Sequence, residues 1–405
     1  MQAGQVLEGY KKTKLGIVPR EWKAKPLSHY LRLVERPIHM EDNSEYELIT
    51  VRRAFGGVDS RGRFLGKSVL VKTQFAVKEK DFVISKRQIA HGACGVIPEE
   101  LDNAIVSNEY NVFEARENLD VPFFQYFVQL PKLKRLFYLM SNGVHIEKLL
   151  FKTNDWLKQK VCMPSYLEQK KIAEILNMWD KGIKLKQKII DEKIAQKKWL
   201  MQQLLMGKQR LPGFRGKWQK VRLGEIFAER NENGFENLEL LSITSGRGII
   251  KRNEIEVKDN SSEDKSKYKR ILPNDIGYNT MRMWQGVSSV SNFVGIVSPA
   301  YTILIPSKNV NSKYMAAVFK LPQTTFIFYR HSQGLVDDTR NLKYSAFKKI
   351  FIKMPIDINE QTAIAEILST ADQEIDLLEK ELAELKQQKK ALMQLLLTGI
   401  VRVDT

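Results

Sequence analysis

The 405-residue chain has few of the side chains from which metal and disulfide sites are built. Its two cysteines, Cys94 and Cys162, lie far apart and form no CxxC pair. The five histidines show no metal-ligand spacing; they are His29, His39, His91, His145 and His331. The composition therefore argues against a disulfide framework or a structural zinc site, and it fits a reducing, cytoplasmic environment.

Long apolar runs are missing as well. No stretch approaches the roughly 18 consecutive apolar residues that mark a membrane-spanning helix. The N-terminal stretch MQAGQVLEGYKKTKLG lacks the apolar core of a signal peptide. We therefore expect no membrane partner.

Catalytic motifs are the third absence. HExxH, GxSxG and the Asn/Asp-Pro-Pro-aromatic methyltransferase tetrad do not occur, and the carboxylates form no convincing acid–base pair. The stretch GRFLGKS looks like a phosphate loop, but it has three residues between Gly62 and Gly66 where that motif needs four. The sequence predicts a chain that catalyses no reaction and binds no cofactor or metal by itself.

What the chain does contain is a long repeat. Residues 168–207 read EQKKIAEILNMWDKGIKLKQKIIDEKIAQKKWLMQQLLMG, and residues 360–399 read EQTAIAEILSTADQEIDLLEKELAELKQQKKALMQLLLTG. A shift of 192 positions places Glu168 on Glu360 and gives 21 identities in 40 residues. A period this long indicates a duplicated unit of domain plus helix, because solenoid repeats are much shorter.

Both copies are predicted to be long amphipathic helices. Apolar residues recur at helical spacings, neither copy contains proline, and each ends at a glycine, Gly207 or Gly399. The first copy carries nine lysines against five acids, and the second carries four lysines against eight acids. Opposite charge and matching apolar stripes predict that the helices pair side by side. Two like units in one chain can pack about a pseudo-two-fold axis only if the equivalent helices run antiparallel.

A globular segment precedes each helix. The lead-in loops GIVPREWKAKPL and LPGFRGKWQKVRL both place leucine five residues after tryptophan. The predicted division is a lead-in segment and domain at 1–164, a helix at 165–207, a second loop and domain at 208–355, and a helix with a tail at 356–405. Predicted strands are YELITVRRAF, KSVLVKTQFAV, DFVISKR and EYNVFEA in the first domain, and LELLSITS, GIIKRNEIEV, DIGYNT and AYTILIP in the second. PFFQYFVQLPKLKRLFYLM predicts one or two short helices, and SKYMAAVFKLPQTTFIFYR predicts a helix.

The positive charge lies outside the long helices. The formal net charge is +18, and the two helices contribute +4 and −4. A basic excess on the globular parts favours a polyanionic partner such as DNA. Basic, amide and aromatic side chains alternate there and supply the candidate DNA-binding residues: Arg52, Arg53, Arg61, Arg63, Lys86, Arg87, Gln88, His91, Arg247, Lys251, Arg252, Asn279, Arg282, Trp284, Gln285, Arg330 and His331. Arg can bond guanine, and Asn or Gln can bond adenine. For any single residue, a solvated surface role is an equal alternative.

The layout resembles the specificity subunit of type I restriction–modification systems over nearly the whole chain. The resemblance is carried by Gly16, Pro19, Trp22 and Leu27, by GACGVIPEELDNAIVSNEY from Gly92, by GIVSPAYTIL from Gly295, and by the EQ..IAEIL helix starts at Glu168 and Glu360. It implies an α+β fold with an internal pseudo-two-fold repeat. Two α/β target-recognition domains would be separated by two long antiparallel helices, the conserved regions of the family, which form a coiled-coil spacer.

The resemblance also implies a function. Each domain would read one half of a bipartite, asymmetric site on double-stranded DNA, and the helices would set the spacing. The chain would have no catalytic residues of its own. It would recruit two methyltransferase subunits, which use S-adenosylmethionine, and restriction subunits, in a prokaryotic cytoplasm.

Two other hypotheses stay open at the level of sequence. A coiled-coil scaffold could bind nucleic acid without sequence specificity, and its affinity would then fall with salt yet hardly change with sequence. An enzyme with an unrecognised site would show turnover by the isolated chain.

Overall fold

A computed structural model describes residues 8–13, 16–143, 149–254, 262 and 264–404. The chain divides into two compact units. The first unit is Met1–Leu185 with Glu381–Thr405, and the second unit is Lys186–Lys380. Each unit therefore contains one globular domain together with part of each long helix.

The first domain consists of a run of short strands followed by short helices and further strands before the first long helix. In chain order they are β1 (Tyr10–Thr13), β2 (Gly16–Pro19), β3 (Ala24–Pro26), β4 (Leu31–Val34), β5 (Pro37–Ile38), β6 (Glu45–Val51), β7 (Val58–Leu65), β8 (Gln74–Ala76), β9 (Phe82–Ser85), β10 (Cys94–Val96), β11 (Ile105–Ser107), β12 (Tyr110–Ala115), α1 (Val121–Phe127), α2 (Pro131–Leu139), β13 (Ser141–Asn142), β14 (Leu150–Phe151), α3 (Thr153–Leu157), β15 (Lys160–Cys162) and α4 (Tyr166–Leu205).

The second domain follows the same plan with fewer strands. Its elements are β16 (Gln219–Arg222), α5 (Leu223–Ile226), β17 (Phe227–Glu229), β18 (Leu241–Ile243), β19 (Ile249–Lys251), β20 (Lys269–Ile271), β21 (Ile276–Asn279), β22 (Ser288–Val290), β23 (Gly295–Val297), β24 (Tyr301–Pro306), α6 (Ser312–Phe319), α7 (Pro322–His331), α8 (Tyr344–Phe347), β25 (Phe351–Met354) and α9 (Ile358–Leu397).

Corresponding antiparallel sheets form the centre of the two domains. The order is β10-β9-β12-β4 in the first domain and β22-β21-β24-β17 in the second. Beside its four-stranded sheet, the first domain has a five-stranded sheet of order β5-β8-β11-β6-β7, and the second has the pairs β18-β19 and β20-β23. The short helices cover these sheets with aromatic side chains, and Phe124 and Phe319 are fully buried examples.

The two long helices are confirmed. Each spans 40 residues and begins two residues before the repeated stretch, at Tyr166 and Ile358, within the predicted ranges 165–207 and 356–405. Gly207 (φ 65°) and Gly399 (φ 70°) follow in the left-handed conformation that ends a helix.

The helices run antiparallel within each unit, as predicted. In the second unit, Lys193 lies 2.6 Å from Glu374, and Lys197 pairs with Asp372. The residue numbers of the paired acids therefore increase along α9 as those of their lysine partners decrease along α4. In the first unit the signs are exchanged, because Asp180 of α4 accepts from Lys389 of α9 at 2.6 Å.

Some local predictions were wrong. KSVLVKTQFAV is a strand only at β8, because Gly66–Ser68 forms a 3₁₀ turn whose N–H groups bond to the loop before β6. Strand β7, rich in charge and glycine, was not predicted; it pairs with β6, so GRFLGKS belongs to a β-hairpin and its following turn. The predicted single helix of the second domain is two helices, α6 and α7, separated before Pro322. Parts of the segment after Gly143 and of GIIKRNEIEV lie outside the described residues.

A buried glutamate at the start of each long helix is bound by an arginine that follows the end of the other long helix. In the first unit, Arg402 donates two hydrogen bonds to Glu168, at 2.6 and 2.8 Å, and its guanidinium lies 6.0 Å from the Trp22 ring. Glu168 is 2% exposed. The bonds to this carboxylate raise the pKa of Arg402 above its ordinary value, so the guanidinium stays charged.

The second unit repeats this arrangement. Arg210 donates to Glu360 at 2.6 and 2.8 Å, and Trp218 adds a bond from its indole N–H at 3.2 Å. Arg210 and Arg402 are 192 positions apart, as are Glu168 and Glu360. We call these two groups the helix clamps; each joins a lead-in loop, a helix start and the segment after the other helix.

None of the helices in the described part of the chain is long and apolar enough to cross a membrane.

The clamps predict unit-specific destabilisation. Arg402→Ala removes one partner of a buried carboxylate, and we expect the free energy of unfolding to fall by about 2–3 kcal/mol. This is less than the roughly 3–5 kcal/mol lost when a fully buried ion pair is broken, because water reaches the arginine. Hydrogen–deuterium exchange should rise at the start of α4 and leave the start of α9 unchanged. Arg210→Ala is the matched control and should give the reverse pattern. If either variant lost protection from exchange equally at the starts of α4 and α9, the two clamps would not act independently.

Candidate nucleic-acid interface

Two turns occupy equivalent positions in the two domains and carry seven of the seventeen predicted DNA-binding residues. Turn 1 comprises residues 86–92 after β9, and turn 2 comprises residues 280–286 after β21. Each contains one 3₁₀ turn and ends at a left-handed glycine, Gly92 (φ 76°) or Gly286 (φ 80°). The glycines are 194 positions apart. The backbone is therefore the same in the two turns while the side chains differ.

A buried ion pair fixes the strand that leads into each turn. Asp81 accepts from Arg36 at 2.5 and 3.1 Å, and Asp275 accepts from Arg230 at 2.8 and 3.1 Å. Each carboxylate also accepts a backbone N–H from three residues earlier, at 2.8 Å. The bonds raise the pKa of both arginines, so both guanidinium groups stay charged. Rigid strands place the two turns.

The loop after β6 lies against turn 1. The N–H groups of Ala54 and Phe55 donate to the carbonyl oxygens of His91 and Gly92, each at 2.8 Å. Ala54 (φ 55°) and Phe55 (φ 59°) both adopt positive φ, which costs of order 1 kcal/mol or more for each non-glycine residue. The structure thus places the adjacent Arg52 and Arg53 close to the basic residues of turn 1.

Acidic neighbours moderate the basic character of the first domain. Arg87 pairs with Glu109 at 2.6 and 3.3 Å, and this hydrogen bond raises the pKa of Arg87. Arg63 pairs with Glu47 at 2.8 Å, and Arg52 pairs with Asp59. Exposed ion pairs contribute little to stability, so a phosphate can take the place of a carboxylate at little cost.

Lys86 and Gln88 differ in their partners within turn 1. Lys86 donates to the carbonyl oxygen of Asn108 at 2.6 Å. The side-chain oxygen of Gln88 is buried without a hydrogen-bond partner among the described residues. A buried acceptor without a partner is costly, and a donor from a ligand would satisfy it.

The sequence analysis missed a tyrosine at the start of the last central strand in each domain. Tyr110 begins β12 and Tyr301 begins β24, at equivalent positions 191 residues apart. Burial raises the pKa of both phenols, and a nearby arginine, Arg61 or Arg252, counteracts part of this rise. Tyr301 is also the cross-strand partner of Asn279. The shared tyrosine in EYNVFEA and AYTILIP was the available signal.

Turn 2 contacts the end of α7. The Trp284 ring meets the Tyr329 ring edge-on at 6.0 Å, and its N–H donates to the carbonyl oxygen of Met281 at 3.0 Å. The structure thereby brings Arg330 and His331, the last two residues of α7, into the same region as turn 2. The imidazole Nδ1 of His331 lies 2.9 Å from the carbonyl oxygen of Ile327.

Arg282 and Gln285 lie within turn 2, at the positions of Gln88 and His91 in turn 1. Gln285 is exposed and Arg282 is half-buried. An amide and a guanidinium on one short turn provide both donors and an acceptor for base edges.

The remaining predicted residues lie on the β18–β19 hairpin. Arg247 at its tip donates to the carbonyl oxygen of Glu254 at 3.3 Å. Lys251 lies 3.4 Å from Glu239. A Cβ added at Gly248 would lie 3.0 Å from the Ser289 hydroxyl of β22, so the hairpin tip is close to the central sheet.

The arrangement supplies hydrogen-bonding groups on short rigid turns and exposed cations around them. Within the described ranges, no three His, Cys, Asp or Glu side chains are grouped to hold a metal ion. Such surfaces suit contacts with the phosphates and base edges of nucleic acid.

Comparison with known proteins agrees with this arrangement. The putative type I restriction enzyme MjaX specificity subunit of Methanocaldococcus jannaschii is 24% identical over an alignment 439 residues long, gaps included, that covers 98% of each chain. A chain of a type I R-M system solved to describe complex assembly and conformational transition has a TM-score of 0.60 at 16% identity, over 95% of this chain and 99% of that one. The HsdS subunit of Thermoanaerobacter tengcongensis has a TM-score of 0.53 at 16% identity, over 95% and 98% of the two chains.

The family model decides the assignment. The model of the type I restriction modification DNA specificity domain matches twice, at residues 41–193 and 215–387. Each match contains one of the two turns and the start of the long helix that follows its domain. The chain therefore belongs to the family of type I restriction–modification DNA specificity proteins.

Proposed function

We propose that this chain is a non-catalytic DNA-reading subunit in which each domain binds one half of a bipartite target. The observation that carries the proposal is the pair of equivalent turns. Their glycines, preceding strands and buried Arg–Asp pairs are the same, while the side chains presented are different. One scaffold used twice with different side chains predicts two different half-sites, and hence an asymmetric target.

The side chains of the turns have the chemistry for base edges. Gln88, Arg282 and Gln285 offer the amide and guanidinium groups that bond adenine and guanine in the major groove. The surrounding cations, such as Arg53, Arg247 and Arg330, would hold phosphates and fix the register. Specificity would therefore depend on a few turn residues, and affinity on many basic ones.

The long helices would set the spacing between the half-sites and offer docking surfaces for two methyltransferase subunits. Restriction subunits would complete the assembly. S-adenosylmethionine would be used by the methyltransferase partners, with no cofactor bound by this chain. The predicted domains at 1–164 and 208–355, and a cytoplasmic location, belong to this proposal.

Substitutions in one turn should affect one half-site. We expect Arg282→Ala combined with Gln285→Ala to lower the affinity for the intact target site by about 30-fold or more, because each of the two lost base contacts costs roughly 1–3 kcal/mol. The loss should disappear when the half-site of the second domain is scrambled. The measurement is binding by the complex with its methyltransferase partners, on a site first identified by methylome mapping.

Arg87→Ala combined with Gln88→Ala is the matched control, since it should report on the other half-site alone. Equal weakening on both half-sites would identify these residues as phosphate contacts or structural groups. Affinity that depends on salt but not on sequence would contradict the proposed function and favour a non-specific scaffold.

Exchange of a whole domain should exchange half of the specificity. Replacing residues 223–355 with the corresponding domain of another family member should change one half-sequence in the methylome and keep the other. The helix clamp of the second unit uses Arg210 and Glu360, which lie outside the exchanged range, so the helices keep their ends. An unchanged methylation site would contradict modular reading.

A further inference from the structure

The loop after α7 carries two apolar side chains at its tip. Leu335 is 98% exposed and Val336 is 60% exposed. Burial of an aliphatic side chain is favourable, and both residues forgo most of that gain in the free protein. Single exposed aliphatic residues are ordinary, but two adjacent ones on one tip form a small apolar surface.

The tip stands on a braced loop. Gln333 and Asn341 exchange two backbone hydrogen bonds, at 2.8 and 2.7 Å, which close the loop at its base. Gly334 has a φ of 131°, and a Cβ there would lie 2.6 Å from the carbonyl oxygen of Thr339. The Thr339 hydroxyl also bonds to the carbonyl oxygen of Val336 at 3.0 Å. The apolar side chains are therefore held outward by the backbone.

The loop is joined to turn 2. The N–H of Leu342 donates to the carbonyl oxygen of Thr280 at 2.8 Å. The guanidinium of Arg340 lies 3.9 Å from the centre of the Tyr329 ring and bonds to its hydroxyl at 2.8 Å. Tyr329 in turn contacts Trp284. The apolar tip and the base-reading turn thus belong to one continuous surface.

The charges near the tip favour contact with bases over contact with phosphates. Asp337 bonds to Arg340 at 2.8 Å, so both charges are compensated within the loop. Leu335 and Val336 can bind no phosphate. Exposed Arg330, at the end of α7, is placed to hold the DNA backbone beside the loop.

We propose that the Leu335–Val336 tip is an apolar wedge that enters the base stack of the half-site read by the second domain. This inference rests on the proposed function. In proteins that insert leucine or isoleucine between base pairs, the cost of unstacking is offset by the larger protein surface that the bent duplex contacts. Pyrimidine–purine steps unstack most easily, so the wedge would favour such a step without bonding to it.

The test uses 2-aminopurine, whose fluorescence rises when its base is unstacked. The probe is placed at successive positions of the second domain's half-site, and the full chain is assayed in complex with its methyltransferase partners. The unaltered complex should raise the fluorescence at one step. The double variant Leu335→Ala, Val336→Ala should lose that rise and bind about tenfold more weakly.

Val294→Ala is the matched control. Val294 is an aliphatic residue of the same unit, 48% exposed, shortly after β22. Val290 of β22 pairs with Ile276, at the opposite end of β21 from turn 2. The Val294→Ala variant should change neither the fluorescence nor the affinity. The thermal unfolding temperature should be the same for both variants, because the deleted side chains are exposed.

Two results would overturn the wedge. One is unchanged affinity and fluorescence in the double variant; the other is weaker binding when the unaltered complex itself shows no unstacked step. The proposed function fails separately, if the unaltered complex shows no preference for a bipartite site, and the wedge then fails with it.

Discussion

The buried carboxylates at the starts of the two long helices are the constraint on which the rest of the structure depends. A glutamate that is 2% exposed needs a cation, and in each unit the cation comes from a distant segment of the chain. An uncompensated buried carboxylate is strongly destabilising. The helix start can therefore be buried only when the distant arginine and the lead-in tryptophan are packed against it. The requirement also fixes direction: an arginine beyond one helix end can reach the start of the other only if the helices run antiparallel.

Much of this architecture could be predicted because helices and their ends follow local rules. The period of Ile172 and Leu176, the terminal Gly207 and the opposite charges predicted two paired helices, and the structure confirms them. The clamps were not predicted, because nothing local marks Arg402 as the partner of a glutamate 234 positions away. Contacts at that separation depend on the assembled tertiary structure.

The candidate interface was predictable as clusters and less so as individual residues. Turn 1 and turn 2 were found because basic and amide residues precede a glycine in both. The structural equivalence of the two turns could not be predicted from their side chains, which differ. The turns share their backbone angles and the buried aspartates, Asp81 and Asp275, that directly precede the strands leading into them. Tyr110 and Tyr301 were missed because aromatic residues in strands usually signal packing. Strand β7 was missed because glycine and exposed charge are depleted in strands generally, yet they suit an edge strand that faces water.

The clamp of the first unit has a consequence for synthesis on the ribosome. Residues 186–380 form the second unit from one continuous stretch, whereas the first unit needs Glu381–Thr405 as well. The domain whose synthesis starts first is therefore the last to be completed. Until Arg402 leaves the ribosome, Glu168 lacks its ion-pair partner and the Trp22 ring lacks the guanidinium that packs near it. The nascent chain therefore passes through a state in which all residues of the second unit are present while the first unit still lacks residues 381–405.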